Sequence, residues 1–105
     1  MIWYKFRIGD YLTQTLHLSD AEDLAYRRLI DLYYLSEKPI PLDLDRVAQK
    51  IRLDLDITES VLAEFFDMRP DGYYDSRLDA DIATHKRLVE NNRKRGKLGG
   101  RPKKP

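Results

Sequence analysis

"LSDAEDLAYRRLIDLYYLSEK", residues 18–38, is the stretch that decides the fold. Ser19 followed three residues later by Glu22 is typical of a capping box, in which each side chain accepts a hydrogen bond from the other residue's backbone N–H. Beyond this cap, apolar side chains cover most of the helical wheel. The pattern predicts a long central helix with other elements packed around it.

The central helix has one clear polar strip, formed by Asp23, Arg27 and Asp31 at four-residue spacing. Side chains at i and i+4 are neighbours on a helix surface, so the strip is suited to ion pairs on the exposed side. Pro39 and Pro41 then end the helix, because proline disfavours the helical conformation at the residue before it.

Two short helices and a hairpin are predicted next. Asp43 is a candidate N-cap for a second helix that ends at about Ile51, and Thr58 is a candidate N-cap for a third. The third helix carries apolar side chains on one face, at Val61, Leu62, Phe65 and Phe66. In "MRPDGYYDS", residues 68–76, Pro, Asp and Gly suit successive turn positions, which indicates a tight hairpin.

A last helix is predicted from about Arg77 to Arg93. Its narrow apolar stripe consists of Leu78, Ile82, His85 and Val89. The stripe can pack on the domain or pair with a second copy; packing on the domain is favoured, because three to four turns make a short coiled coil. The oligomeric state stays open.

The two ends of the chain differ in character. Residues 3–8, "WYKFRI", alternate, with Tyr4, Phe6 and Ile8 on one side, which predicts a half-buried strand. Residues 94–105 are rich in Gly, Pro, Lys and Arg, which predicts a disordered basic tail.

The predicted order is strand, long helix, helix, helix, hairpin, helix. We therefore predict a mainly α protein with a small β hairpin (α+β), a winged helix-turn-helix-like domain over residues 1–93 with a long central helix and a C-terminal helix. A plain helical bundle with a β-ribbon flap is the alternative. With 105 residues and no cysteine, the chain supports one small domain without disulfides or cysteine-based metal sites.

The net charge of +1 hides a strong asymmetry. Residues 1–85 carry 10 basic and 17 acidic side chains, whereas residues 86–105 carry nine basic and one acidic. A basic arm on an acidic domain is the compositional hint of nucleic-acid binding, and a solvated linker is the equally simple interpretation. The N-terminus lacks an apolar stretch of signal-peptide length, and no run is long enough for a membrane span, so we expect a cytoplasmic protein with no membrane contact.

The sequence gives little support for an enzyme. Its two histidines, His17 and His85, are far apart, and the pairs Asp54/Asp56 and Asp79/Asp81 have no evident third ligand. There is no phosphate-binding glycine loop and no nucleophile motif. We expect a non-enzymatic protein that needs no cofactor and no metal.

DNA is the predicted partner, but the third helix does not suit it. Its outward side chains include Glu59, Glu64 and Asp67 and no basic residue, so phosphate would be repelled; these acids are instead a candidate protein-binding face. Cations elsewhere are the DNA-binding candidates. They are Lys5, Arg7, Arg46, Lys50, Arg52, Arg69, Arg77, Arg93, Lys94, Arg95, Lys97, Arg101, Lys103 and Lys104. For Lys5 and Arg7, the neighbouring Trp3 suits base stacking beside backbone contact.

Four stretches carry a resemblance to a known family. They are "YKFRIGDYLTQTLHLSDAEDLAYRRLIDLYYLSEKPIPLD" (residues 4–43), "VLAEFF" (61–66), "DGYYDSRLDADI" (71–82) and "GGRPKK" (99–104). Over essentially the whole chain, the sequence resembles the YdaU-like family of phage and prophage proteins, a family of unknown function.

The resemblance implies a setting in phage DNA replication, because members of this family occur among phage replication genes. The layout is also similar to the N-terminal winged-helix domain of phage replisome organisers, which bind origin DNA and help bring in the replicative helicase or its loader. We therefore expect a DNA-binding accessory of replication initiation. The alternative is a module that docks a replication protein, such as helicase or helicase loader, through its acidic domain, with the tail as a linker.

Overall fold

A long helix lies at the centre of the molecule. The computed structural model describes the backbone of residues 1 and 3–99 and the side chains of residues 1 and 3–95. The elements in chain order are α1 (Ile8–Thr15), α2 (Asp20–Ser36), α3 (Leu44–Ile51), α4 (Leu55–Phe65), β1 (Asp67–Arg69), β2 (Gly72–Tyr74) and α5 (Ser76–Gly99). No helix in this part of the chain is long and apolar enough to span a membrane.

The predicted central helix is confirmed as α2. Its capping box is present: the Glu22 N–H donates to the Ser19 hydroxyl at 3.2 Å, and the Ser19 N–H donates to the Glu22 carboxylate at 2.9 Å. Glu37 ends the helix in the left-handed conformation, with its N–H donating to the carbonyl of Tyr33. The core forms around its buried side chains, which are Ala25, Tyr26, Leu29, Ile30, Tyr33 and Tyr34.

The hairpin is joined to the segment between α2 and α3. Strands β1 and β2 pair antiparallel, as the turn residues predict. Ile40 and Tyr73 add an antiparallel bridge, in which the Ile40 N–H donates to Tyr73 O at 2.9 Å and the Tyr73 N–H donates to Ile40 O at 2.7 Å. Helix, bridge, two helices and two strands is the order of a winged helix-turn-helix. The predicted class, mainly α with a small β hairpin (α+β), is confirmed.

The two short helices were predicted with unequal success. Helix α3 begins after its N-cap Asp43 and ends at Ile51, as predicted. The predicted N-cap of the third helix is wrong: α4 begins one turn earlier, after Asp54. Thr58 is fully buried, and its hydroxyl donates to the carbonyl of Asp54 at 2.9 Å. A threonine inside a helix can make this i−4 bond as readily as it caps a helix, which explains the wrong assignment.

The N-terminal strand prediction is wrong. Residues 3–7 lack regular structure, and Ile8, predicted to face inward, is exposed at the start of α1. The predicted alternation still holds for Tyr4 and Phe6, which are half-buried. Tyr4 stacks on Tyr34 with ring centroids 4.2 Å apart. The segment crosses α2 instead of pairing with a strand, so its alternate side chains pack on a helix.

This crossing also corrects the prediction for the polar strip of α2. Arg27 pairs with Asp31 at 3.7 Å, as the spacing predicts. However, the strip is partly covered, because Phe6 lies 4.1 Å from the Arg27 guanidinium and the hydroxyls of Tyr4 and Tyr11 donate to the carboxylates of Asp31 and Asp23. The strip therefore anchors the N-terminal segment.

Helix α5 packs on α2 only at its beginning. The carboxylate of Asp75 accepts hydrogen bonds from the Arg77 and Leu78 N–H groups, which caps the helix. Leu78 and Ile82 are buried, whereas Val89 is 43 % exposed, so the predicted stripe packs on the domain in its first half only. The helix ends at Gly99 rather than at Arg93, so residues 94–99, assigned to the tail, are helical.

Candidate nucleic-acid interface

The exposed face of α4 is acidic. Glu59 and Glu64 are exposed, as predicted, while Asp67 is exposed at the start of β1 and is not part of the helix. The carboxylate of Glu64 lies 2.5 Å from His17 Nε2 on the turn after α1. No basic residue occurs in α4, so this helix offers nothing to a phosphate.

The basic residues of α3 lie at its outer face and C-terminal end. Arg46 and Lys50 are exposed on the helix, and Arg52 follows it as the C-cap, with a left-handed backbone at φ 60°. Within the described part of the chain, none of the three forms an ion pair. They are therefore available to an external anion.

Arg28 lies in the same groove as Lys50 and Arg52, although it was not among the predicted DNA-binding cations. Its guanidinium donates a 2.7 Å hydrogen bond to the carbonyl of Ile51, at the C-terminal end of α3. Arg28, Lys50 and Arg52 then line one shallow groove between α2 and α3, which we call the α2–α3 groove. Its carboxylate, Asp31, is already paired with Arg27 and bound by the Tyr4 hydroxyl, so the groove has an excess of positive charge.

The α2–α3 groove and helix α4 lie against different faces of α2. Tyr26 and Tyr33 of α2 face the C-terminal end of α4. The ring centroid of Tyr26 lies 4.0 Å from that of Phe65, and the ring centroid of Tyr33 lies 6.1 Å from that of Phe66. Arg28, in the groove, comes two residues after Tyr26, and two residues turn a helix by about 200°. Neither Glu59 nor Glu64 lines the groove, so the acids of α4 and the cations of the groove belong to different surfaces.

The predicted cations of the N-terminal segment differ in their contacts. Lys5 is exposed and has no ion pair within the described residues. Arg7 donates to the carboxylate of Asp81 at 3.1 Å, and the hydroxyl of Tyr34 donates to the same carboxylate at 2.6 Å. Partial burial opposes ionisation of Asp81, but these two donors outweigh it and hold the pKa of the carboxyl below its ordinary value.

The cations around the hairpin also have local contacts. The Arg69 guanidinium lies 4.2 Å from the centroid of the Tyr74 ring, and Arg77 donates to the side-chain oxygen of Gln14 at 3.0 Å. Both side chains are exposed. Neither lines the α2–α3 groove, so the structure does not bring all predicted cations into one site.

The basic end of α5 is presented to solvent. From Ala83 to Arg95, every side chain is exposed except that of His85, which is half-buried. Lys86 pairs with Glu37 at 3.6 Å, while Arg93, Lys94 and Arg95 have no ion pair within the described residues. The side chain of Lys97 and the whole of Arg101, Lys103 and Lys104 lie outside the described residues.

Comparisons with known proteins agree with the resemblance noted above. A family model described as "Protein of unknown function (DUF1376)" matches residues 2–83. The uncharacterized protein YdaU of Escherichia coli (strain K12) is 33 % identical over 93 residues, which cover 86 % of this chain and 32 % of that protein. The chain thus spans about a third of the length of this relative. No solved structure matches. The predicted YdaU-like resemblance is confirmed.

Proposed function

The chain belongs to the DUF1376 family of proteins of unknown function, and we propose that its domain binds DNA without catalysing a reaction. Its setting would be the initiation of phage-type DNA replication, as an accessory similar to a replisome organiser. The replication setting is proposed from the resemblance of the sequence to phage replication proteins. DNA binding is proposed from the distribution of charge in the structure.

The observation that carries the proposal is the basic end of α5. It extends beyond the packed part of the helix and carries the exposed cations Arg93, Lys94 and Arg95. Cations near a helix C-terminus are favourable to the helix dipole, which helps keep this end helical. Phosphate contacts from such side chains release counterions, so they supply affinity without reading sequence.

The winged-helix part contributes through α3 and not through α4. An ordinary helix-turn-helix places its second helix, here α4, in the major groove. The acids of α4 oppose that geometry, whereas none of them lines the α2–α3 groove. Phosphate contacts by Lys50, Arg52 and Arg28 therefore replace base reading by α4.

Substitution of the α5 cations tests the proposal on the full chain. In Arg93→Gln/Lys94→Gln/Arg95→Gln, DNA affinity should fall and the slope of log K against log salt should become shallower by as much as about 3, since each lost phosphate contact removes about 0.9. Truncation after Val89 should cause a larger loss. Lys38→Gln, which removes an exposed cation outside α3 and α5, should have little effect. Absence of binding to duplex and single-stranded DNA at low salt would refute the proposal.

One observation favours a second candidate function, in which the acidic domain docks a replication protein such as a helicase or its loader. Ile8, Leu12 and Leu16 form an exposed apolar stripe on and just after α1, with Leu16 82 % exposed. His17 joins this stripe to Glu64 of α4. An apolar stripe beside acids suits a basic amphipathic segment of a partner.

Charge reversal separates the two candidates. Glu59→Lys/Glu64→Lys should abolish capture of a replication partner if the acidic face docks it, whereas Asp45→Lys, a single charge reversal on α3, should leave capture intact. If the double variant captures purified helicase and loader as well as the wild type does, this second function does not use α4.

A further inference from the structure

Three shallow grooves adjoin one another, since neighbouring grooves share lining residues. The first is the α2–α3 groove. A second groove shares Asp31 and Leu35 with it and continues to Trp3. A third shares Trp3 and Tyr4 with the second and ends against α5 at Leu88. We call these three adjoining grooves together the α2 track, which extends from the end of α3 to the side of α5.

Trp3 lies where the second and third grooves meet. Its side chain is 65 % exposed. The residue after it is fixed, because the Tyr4 ring stacks on Tyr34 at 4.2 Å and its hydroxyl donates to Asp31. A tethered backbone presents the indole to solvent with little loss of chain entropy on binding. A single exposed apolar side chain is common on protein surfaces, so exposure alone would indicate nothing.

The track that contains the exposed indole also carries cations. Arg28, Lys50 and Arg52 line one end, and Lys5 lines the third groove near Trp3. These four cations have no ion-pair partner within the described residues. Lys5 therefore continues the excess of positive charge from the α2–α3 groove to the indole.

Two carboxylates also line the track, and each of them is paired with an arginine of the domain. Asp31 is paired with Arg27 and accepts the Tyr4 hydroxyl. Asp81 is paired with Arg7 at 3.1 Å and accepts the Tyr34 hydroxyl at 2.6 Å. An anionic ligand in the track therefore meets unpaired cations and carboxylates that already have partners.

We propose that the α2 track binds single-stranded DNA, with its phosphates on the cations and one base stacked on Trp3. A cationic groove interrupted by an exposed aromatic ring is the arrangement that single strands require, because their bases have free faces. A duplex keeps its base faces stacked inside, so it cannot use the indole in this way. The inference rests on the proposed function in that the ligand is DNA, and it adds the strand form and the stacking residue.

The sole tryptophan of the chain supplies a direct measurement. An oligothymidylate of about 12 nucleotides, within the range of known site sizes, should quench Trp3 fluorescence on binding, whereas a duplex of equal length should not. In Trp3→Ala, affinity for the single strand should fall about tenfold, and affinity for the duplex should stay within about twofold of the wild type. Trp3→Phe should recover most of the single-strand affinity, because phenylalanine also stacks.

Two controls accompany these variants. Leu16→Ala removes an exposed apolar side chain outside the track and should leave single-strand affinity unchanged. Arg46 and Lys50 lie on the same helix, but only Lys50 lines the track, so Lys50→Ala should weaken single-strand binding more than Arg46→Ala. Circular dichroism of each variant verifies its fold. The quenching measurement uses the wild-type protein, so it tests the proposal even if a variant fails to fold.

The outcomes separate this inference from the function on which it rests. If the wild type binds neither DNA form at low salt, the proposed function fails and the inference fails with it. If it binds DNA but the oligothymidylate leaves Trp3 fluorescence unchanged, or Trp3→Ala weakens both forms equally or neither, the inference alone is overturned. Quenching together with a selective loss for the single strand supports it.

Discussion

The hydroxyl of Tyr33, a fully buried residue of α2, lies 2.5 Å from the carboxylate of Asp79 in the first turn of α5. The same oxygen accepts a 3.2 Å hydrogen bond from the N–H of Asp75, the residue that caps α5. One hydroxyl therefore joins the core to the start of the helix that carries the basic end. Burial of the ring and the donation of its hydroxyl to Asp79 raise the pKa of Tyr33 well above its ordinary value.

Tyr33→Phe should destabilise the domain by about 2 kcal/mol, because it leaves the buried Asp75 N–H without its partner and removes a hydrogen bond to a charged group. Chemical denaturation measures this change. Tyr74→Phe is the matched control, since its hydroxyl donates to Asp71 on the exposed turn of the hairpin. Equal stabilities of the two variants would show that the buried hydroxyl is not a significant anchor.

Asp81 makes stability depend on acid pH. Its folded-state pKa is held below the ordinary value of about 4, so its contribution is complete above that pH and is lost as pH falls through the lower value. The melting temperature of the wild type should therefore fall more steeply below about pH 4 than that of Asp81→Asn. Parallel curves for the two proteins in this range would contradict the assignment.

Gly72 is required by the close approach of the hairpin to the bridge. A Cβ atom at this position would lie 2.9 Å from the carbonyl oxygen of Ile40 and 3.1 Å from Pro39 Cβ. Gly72→Ala should cost about 1–3 kcal/mol in the free energy of unfolding, because the clash is with backbone that cannot move freely. Gly9→Ala is the control: apart from neighbouring residues and the backbone of α1 itself, no atom lies within 4 Å of the added Cβ, and alanine in α1 should raise stability by about 0.5 kcal/mol.

The parts of the fold that local chemistry determines were predictable. The capping box of Ser19 and Glu22 and the turn before Gly72 act within four residues, so sequence is sufficient to find α2 and the hairpin. The alternation at Tyr4 and Phe6 was misleading. Burial of every second side chain indicates an extended backbone, but it does not indicate whether that backbone pairs with another strand. Here the buried side chains contact a helix.

The candidate site was only half predictable, for a related reason. Composition identifies Lys50 and Arg52 as cations and Glu59 as an acid on α4. It does not reveal that Arg28 reaches the end of α3, or that Glu59 stays outside the groove that these cations line, because both facts depend on how three helices pack. The same packing makes an acidic α4 compatible with a DNA-binding domain.

The separate positions of the α4 acids and the groove cations lead to a prediction about charge reversal. Glu59→Lys/Glu64→Lys should change DNA affinity by less than about threefold at physiological ionic strength, since neither residue lines the α2–α3 groove and salt screens charges on separate exposed surfaces. Lys50→Glu/Arg52→Glu, also a reversal of two charges, should weaken binding far more, because it removes two phosphate contacts and adds repulsion. Titration at several salt concentrations measures both effects. If the α4 variant instead strengthens binding strongly, DNA lies against α4, and the α2–α3 groove is not the surface that binds it.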